Sequence, residues 1–528
     1  MTTLALLAGL GACAETQDNE GERDRSQTQD SVYGAGLVGD TEDERDPVEG
    51  GTLTFADYSE ARSLDPTQTI ATGASGGTAL AAVYDVLVRY DDAAGKYEPW
   101  LAKAITPNKD STQWVLDLRP GVKFSDGTDL DARAVTASIE RYIDNGGSDS
   151  ALLQKNVTSM EPSDDHTVVF TLARPWSTFP RILAMGAGMI VAPAASQGTD
   201  FRPIGAGPFE LQDYAPSEEL VLRARSDYWR GKPHLATLRF VWLAGGRPNL
   251  ENLVAGGADL TLLREPDVVL DARKEDIAGF MTPLSLGTTL WINNREGRPG
   301  LDVRVRQAIA YAMDPELYVE RAFKGAGMPT KDLFGPQSRW HSDVAAPSVD
   351  ADRASELVEA AKADGFDGEL TFVGGASPTG RSEALVTKAM LEDVGFKVEL
   401  DLLTNIADRI QRLYVERDFD IAIGSASVSE ADPFHQLHDT LASDSMLNLT
   451  GYASPEMDAA LTRVQGASGQ PNRAAAIQDL ERLWHEDVPA VNLATGATFI
   501  AWNQDVHGVK PNAEYMMLFG EAWRAPSG

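Results

Sequence analysis

Between residues 370 and 423 short β-rich runs alternate with longer amphipathic ones, and this pattern constrains the fold more than any other feature. The runs 370–373, 398–402 and 419–423 read as strands. The segments 381–394 and 406–416 between them carry apolar residues at helical spacing. Strands joined by helices lie parallel, because a parallel pair needs a crossover long enough to return along the sheet. Such a sheet is covered on both faces, so the chain is expected to be α/β.

The N-terminal half adds more elements of the same kind. Folded structure is expected from Gly51, where Thr52-Leu53-Thr54-Phe55-Ala56 alternates as a strand does. A helix is expected over 79–90, with Leu80, Val83, Tyr84 and Leu87 on one face, and strands at 114–118, 167–172 and 238–243. Asp126-Gly127 is turn chemistry, and Asp131 is placed to cap a helix carrying Val135, Ile139 and Tyr142. A short helix is expected at 249–255. Asp302 opens a further helix, and Asp314-Pro315 opens the next, which ends near Lys324-Gly325. No internal repeat is visible.

The net charge of -33 argues against nucleic acid as a partner, since binding there depends on Lys and Arg neutralising phosphates. The single cysteine, Cys13, excludes an internal disulfide and a cysteine-based zinc site, and no metal or cofactor is expected. Leu4 to Leu10 is apolar, and Leu10-Gly11-Ala12-Cys13 resembles the lipobox of bacterial lipoproteins. That resemblance implies a signal peptide ending before Cys13 and a lipid on its sulfur. No other run approaches the roughly 20 apolar residues that cross a bilayer. Residues 14–50 are polar and acid-rich, as in Thr41-Glu42-Asp43-Glu44, and are expected to form a disordered tether.

A series of stretches then falls in one order along the chain. It runs Leu64-Asp65-Pro66, Tyr84-Asp85-Val86-Leu87-Val88-Arg89-Tyr90 and Glu98-Pro99-Trp100-Leu101-Ala102. Leu118-Arg119-Pro120-Gly121-Val122-Lys123-Phe124-Ser125-Asp126-Gly127 comes next, then Ile204-Gly205-Ala206-Gly207-Pro208-Phe209 and Asp227-Tyr228-Trp229-Arg230-Gly231-Lys232-Pro233. The stretch from Val303 to Asp314, Pro455-Glu456-Met457-Asp458 and the helix 473–486 close it. Together these resemble family 5 of the extracellular solute-binding proteins, the binding subunits of peptide, nickel and related ABC importers. Tyr228 and Trp229 are read as packing, and Arg304 and Arg306 as makers of surface or interlobe salt bridges.

The resemblance implies a two-lobed clamshell of the type II periplasmic-binding-protein kind. One lobe would span 51–290, with a subdomain inserted at about 93–202, and be completed by 498–528. The other would span 291–497. A small solute or short peptide would bind between them, and the closed form would deliver it to permease subunits in the membrane. A monomer outside the cytoplasm, anchored to the cell membrane or periplasmic, is expected. A sensor or pheromone receptor of the same fold is the alternative, and neighbouring permease and ATPase genes would separate the two.

In peptide-binding relatives a Trp, and three residues later an Asp, pair with the peptide just after the strand corresponding to 419–423. Those positions fall here on Ala426 and Ser429, so the familiar anchor for an ammonium is missing. Glu430 is the candidate substitute. Ser425, Ser427 and Ser429 alternate and could present hydroxyls on one face, which would suit a sugar or another polar ligand. His435 and His438 share a helical face, open to a metal chelate or to solvent. Tyr58, Trp291 and Asn293 end strands near the cleft and are candidate pocket walls.

Gly73-Ala74-Ser75-Gly76-Gly77 fits the nucleophile-elbow pattern, but the preceding 67–72 is polar and short where a buried strand is required. There is no phosphate-cradling Gly-rich loop with Lys and no His-Glu-x-x-His. The chain is read as a binder and not an enzyme.

Overall fold

The computed structural model describes residues 33–39, 46–196 and 200–526, so Cys13 and most of the acidic stretch lie outside the described residues. Among the described residues the main sheet has 12 strands, ten on one path with Gly36–Val38 and Met328–Pro329 paired beside it. Its order runs Lys397–Leu403, Glu369–Gly375, Ile421–Ser425, Ala278–Ile292, Ala490–Trp502, Leu260–Leu263, Thr52–Asp57, Thr237–Trp242, Glu219–Ala224, Phe209–Ala215. The first three are parallel to one another, as the alternation of strand and helix requires.

Two long antiparallel strands, Ala278–Ile292 and Ala490–Trp502, pass from one lobe into the other. Their ends near Ala278 and Trp502 lie in the first lobe, where Phe499–Trp502 pairs with Leu260–Leu263. Their other halves lie in the second, where Thr288–Ile292 pairs with Ile421–Ser425. The pairing between them slips between Leu284 and Thr288, and Leu286 there takes a left-handed φ of 52°. The change of partner thus falls a few residues before the boundary expected at 290/291.

The second lobe's core is Val305, Ile309, Leu357, Val358, Phe372, Leu391 and Ile421, all buried. It forms because helix Pro378–Asp393 lays its apolar face on the parallel strands, while Ala351–Ala363 packs on Val303–Ala312 and the latter on Ala490–Trp502, each large side chain worth about 1.5–3 kcal/mol. Asp131, Asp302 and Asp314 cap their helices through Ala134 N, Arg304 N and Leu317 N. Inserted into the first lobe is an antiparallel sheet, ordered Ala102–Pro107, Gln113–Leu118, Thr167–Leu172, Val157–Asp164, with helices Ala132–Asp144 and Ser150–Asn156.

Some expectations change. Part of the stretch read as tether belongs to the fold: Gly36–Val38 adds a strand to Ala278–Ile292, and Tyr33 is fully buried with its hydroxyl on Pro266 O. The helix expected over 79–90 is Gly77–Tyr84, after which Val88–Asp91 turns into a hairpin with Lys96–Pro99. The break is at Asp85, whose φ is 60° and whose buried carboxylate accepts from Tyr228 (2.7 Å) and Trp229 (3.1 Å). Arg304 pairs with Asp302 and Asp364 at the surface. Arg306 forms no salt bridge among the described residues; its guanidinium donates to the carbonyls of Gly300, Leu301 and Asp487.

Candidate ligand-binding cleft

Polar side chains from the two lobes meet, Arg339 with Tyr90 and Asp92 and His435 with Asp149. The segment after strand Ile421–Ser425 runs along this seam. The regular strand ends at Ser425, after which only Ala426 N and Val428 N donate to Leu286 O and Ser285 O, and the three serines do not form one ladder of hydroxyls. Ser425 is exposed, Ser427 faces the other lobe with Arg264 Nη2 at 3.5 Å, and Ser429 is buried with its Oγ accepting from Ala431 N.

Near the crossing strands, Tyr58 donates its hydroxyl to Glu265 and accepts from Arg264 N at 3.3 Å. The side chain of Asp57 beside it is buried, which pushes its carboxyl up to about 7, although Tyr58 N–H and Arg264 favour the charged form. Tyr515 reaches Ser427 from the same side. Tyr58 and Ser427, named from opposite lobes by sequence, are thus joined through Arg264, and Tyr515 meets Ser427. Glu514 and Tyr515 both hold left-handed φ, 53° and 50°, which are costly for non-glycine residues and recur at functional sites. A Cβ on Gly73 would stand 2.3 Å from Tyr515 O, so only glycine lets this backbone pass.

Further along lies a buried charge network. Arg181 of the inserted subdomain is 3.3 Å from both Asp149 Oδ1 and Glu514 Oε1, and His435 Nε2 is 2.6 Å from Asp149 Oδ1. Asp432 caps helix Pro433–Leu441 through Phe434 N, leaving Oδ2 buried and without a partner. Burial raises its carboxyl, and Arg181, Arg473 and His435 offset that only in part.

At the outer end Arg339 crosses the cleft. It donates to Tyr90 Oη (2.9 Å) and Asp92 (3.0 Å) of the first lobe, while its own N–H goes to Glu430 Oε2 (3.0 Å). Trp340 Nε1 donates to Glu430 O at 3.0 Å. Glu430 Oε1 stays buried and unpartnered, and burial raises this carboxyl as well. Tyr97, whose ring lies 5.0 Å from that of Tyr90, has a buried hydroxyl without a partner.

The family model described as bacterial extracellular solute-binding proteins, family 5 Middle, matches residues 96–448. The chain belongs to family 5 of the bacterial extracellular solute-binding proteins. This family 5 protein is 27% identical over 489 residues to a probable D,D-dipeptide-binding periplasmic protein, DdpA, of Escherichia coli, covering 88% of this chain and 93% of that one. It is 24% identical over 460 residues to heme-binding protein A of Haemophilus influenzae, covering 81% and 84%. A dipeptide-binding protein from Pseudoalteromonas in complex with Met-Leu superposes with a TM-score of 0.75 at 20% identity, covering 90% of this chain and 100% of that one. The protein is therefore an extracytoplasmic substrate-binding component of an ABC importer, and the family binds transport substrates and does no catalysis.

Other residues singled out from sequence sit beside the cleft as framework. Trp291 is buried with its indole against strand Ile421–Ser425, where a Cβ on Gly424 would stand 2.6 Å from Nε1. Asn293 is fully buried and donates to Arg417 O and Phe419 O. His435 belongs to the charge network, whereas His438 lines a different cavity. Among the described residues no group of three or more His, Cys, Asp or Glu is arranged to hold a metal. Tyr97, Asp149, Arg181, Arg339, Asp432 and Glu514 were not legible as a set, because they come from four regions of the chain. Asp432 alone carried a signal, the Asp-Pro of a helix start.

Proposed function

We propose that this importer component holds a peptide-like zwitterion, its ammonium taken by Glu430 and Asp432 and its carboxylate by Arg181 and Arg473. One observation carries the reading. Glu430 Oε1, Asp432 Oδ2, Tyr97 Oη and the Nε atoms of Arg181 and Arg473 are buried without partners. Each such group costs about 1–3 kcal/mol if left unpaired, so a ligand that supplies the missing partners is strongly favoured. The two acids have carboxyls raised by burial, and a cation beside them would restore their charged form. The relatives are named for a D,D-dipeptide and for heme, so the scaffold accommodates chemically different ligands.

The reading includes attachment to the outer face of the cell membrane by a lipid on Cys13, action as a monomer and delivery to permease subunits rather than sensing. The lipobox-like Leu10-Gly11-Ala12-Cys13 supports the anchor. Release of a Cys13→Ser protein from the membrane fraction is the corresponding check.

Calorimetric titration of the protein with D-Ala-D-Ala and L-Ala-L-Ala tests the ligand. At least one should bind, and Glu430→Gln should weaken it by about tenfold or more. N-acetylation of the same dipeptide should abolish binding. An acetylated peptide that binds as well as the free one would remove the ammonium from the account.

A further inference from the structure

Beside the cleft a second cavity, of about 310 Å³, lies between the inserted subdomain and the helices of the second lobe. It shares no lining residue with the charge network described above. Lys155 and Arg174 come from the first lobe, His438 from helix Pro433–Leu441, and Leu461 and Gln465 from helix Pro455–Gly466. Its volume is at the lower end of those that hold small molecules.

The balance of free donors and acceptors decides what fits. Of the two wall carboxylates, Asp444 is paired with Lys155 Nζ at 2.7 and 3.0 Å, whereas Asp458, among the described residues, accepts only from Ser443 N at 2.9 Å through Oδ1. Gln465 Nε2 donates to Asn156 Oδ1 at 3.0 Å. The Arg174 guanidinium has no hydrogen-bond or ion-pair partner among the described residues. His438 Nε2 is buried and unpartnered, while Nδ1 lies 3.5 Å from Asp439 Oδ1. The His438 ring lines the cavity, and a proton on Nε2 makes that nitrogen a hydrogen-bond donor there. Phe434, Ala442 and Leu461 give the rest of the wall an apolar surface.

We propose that this cavity is a second binding site, for a compact organic anion whose carboxylate or phosphate is held by Arg174 and His438 and whose apolar body lies on Phe434 and Leu461. A planar guanidinium suits either anion through paired N–H donors. Because the walls come from both lobes, the anion touches all of them only when the lobes are closed. It therefore favours the closed form and tightens the cleft's hold on its own ligand.

The test is calorimetric titration of the full-length protein with benzoate and, separately, with inorganic phosphate. One anion should bind at one site per chain, and Arg174→Ala and His438→Ala should each weaken it by about tenfold. The dipeptide titrations read the cleft separately, so failure here is separable from failure of the cleft reading on which the coupling rests. Benzoate binding without phosphate marks a carboxylate site, and the reverse marks a phosphate site. No binding of either anion to the unaltered protein, or equal binding to Arg174→Ala, would overturn the proposal.

Discussion

His435 Nε2 stands 2.6 Å from Asp149 Oδ1, and this contact ties the second lobe to the subdomain inserted in the first. Burial alone would raise the Asp149 carboxyl, but His435 and Arg181 hold it well below the usual carboxylate range. Burial and Arg181 oppose protonation of His435, yet Asp439 and Asp149 outweigh them and keep it above its ordinary 6.5. The pair is a charged clasp that exists only with the lobes together.

Closure should accordingly depend on pH. The His435 contribution is fully present below its ordinary pKa and is lost as pH rises through the raised value. The Asp149 contribution is present above the usual carboxylate range and is lost only in strong acid. The clasp's contribution to ligand affinity should therefore fall from mildly acid to alkaline pH, while the raised Glu430 and Asp432 carboxyls work in the opposite sense. Arg181, Asp439 and Asp432 also act on His435, so His435→Gln isolates its part: titrations across that range should lose the clasp's share of their slope in the variant.

Arg181 answers two buried carboxylates, Asp149 and Glu514, at 3.3 Å each. Arg181→Met leaves both without their common cation and should destabilise the closed protein by about 3–5 kcal/mol. Arg181→Lys should recover only part of this, because a point charge cannot reproduce the two-pronged fork. Chemical denaturation in the presence of ligand measures both.

Asn293 separates framework from binding. Its amide holds the carbonyls of Arg417 and Phe419, so Asn293→Ala should cost about 2 kcal/mol of stability. Affinity for the cleft ligand, measured well below the melting temperature, should change little. A large loss of affinity at unchanged stability would instead make Asn293 a ligand contact.

Gly73→Ala should act at a distance. The added Cβ would meet Tyr515 O at 2.3 Å and displace the strained Glu514-Tyr515 pair that faces Arg181 and Ser427. Ligand affinity should drop, with a smaller change at Gly121, where a Cβ meets nothing within 4 Å.

Much of the scaffold was legible because its signals are local. The helix starts at Asp131, Asp302 and Asp314 are written in neighbouring residues, as are the alternating strands at 114–118 and 167–172. The end of the helix after Tyr84 was not. There Asp85 takes a left-handed conformation to meet Tyr228 and Trp229, more than 140 residues later. The strand at Gly36–Val38 was hidden by its polar, acid-rich surroundings, since a short edge strand is held by backbone pairing rather than by apolar side chains. The cleft, with its proposed ligand contacts, was half legible. Glu430, Tyr58 and Ser427 emerged from their places beside strands, whereas Arg181 and Glu514, 333 residues apart, meet only through the completed fold.

The central claim is that the closed cleft grips a molecule bearing a cationic nitrogen. Native mass spectrometry of the protein purified without added ligand, followed by denaturing analysis of whatever is released, tests it most directly. The account predicts a released molecule with a free amine, most simply a short peptide, absent from Glu430→Gln prepared in the same way. A released ligand with no protonatable nitrogen, retained equally by Glu430→Gln, would contradict it.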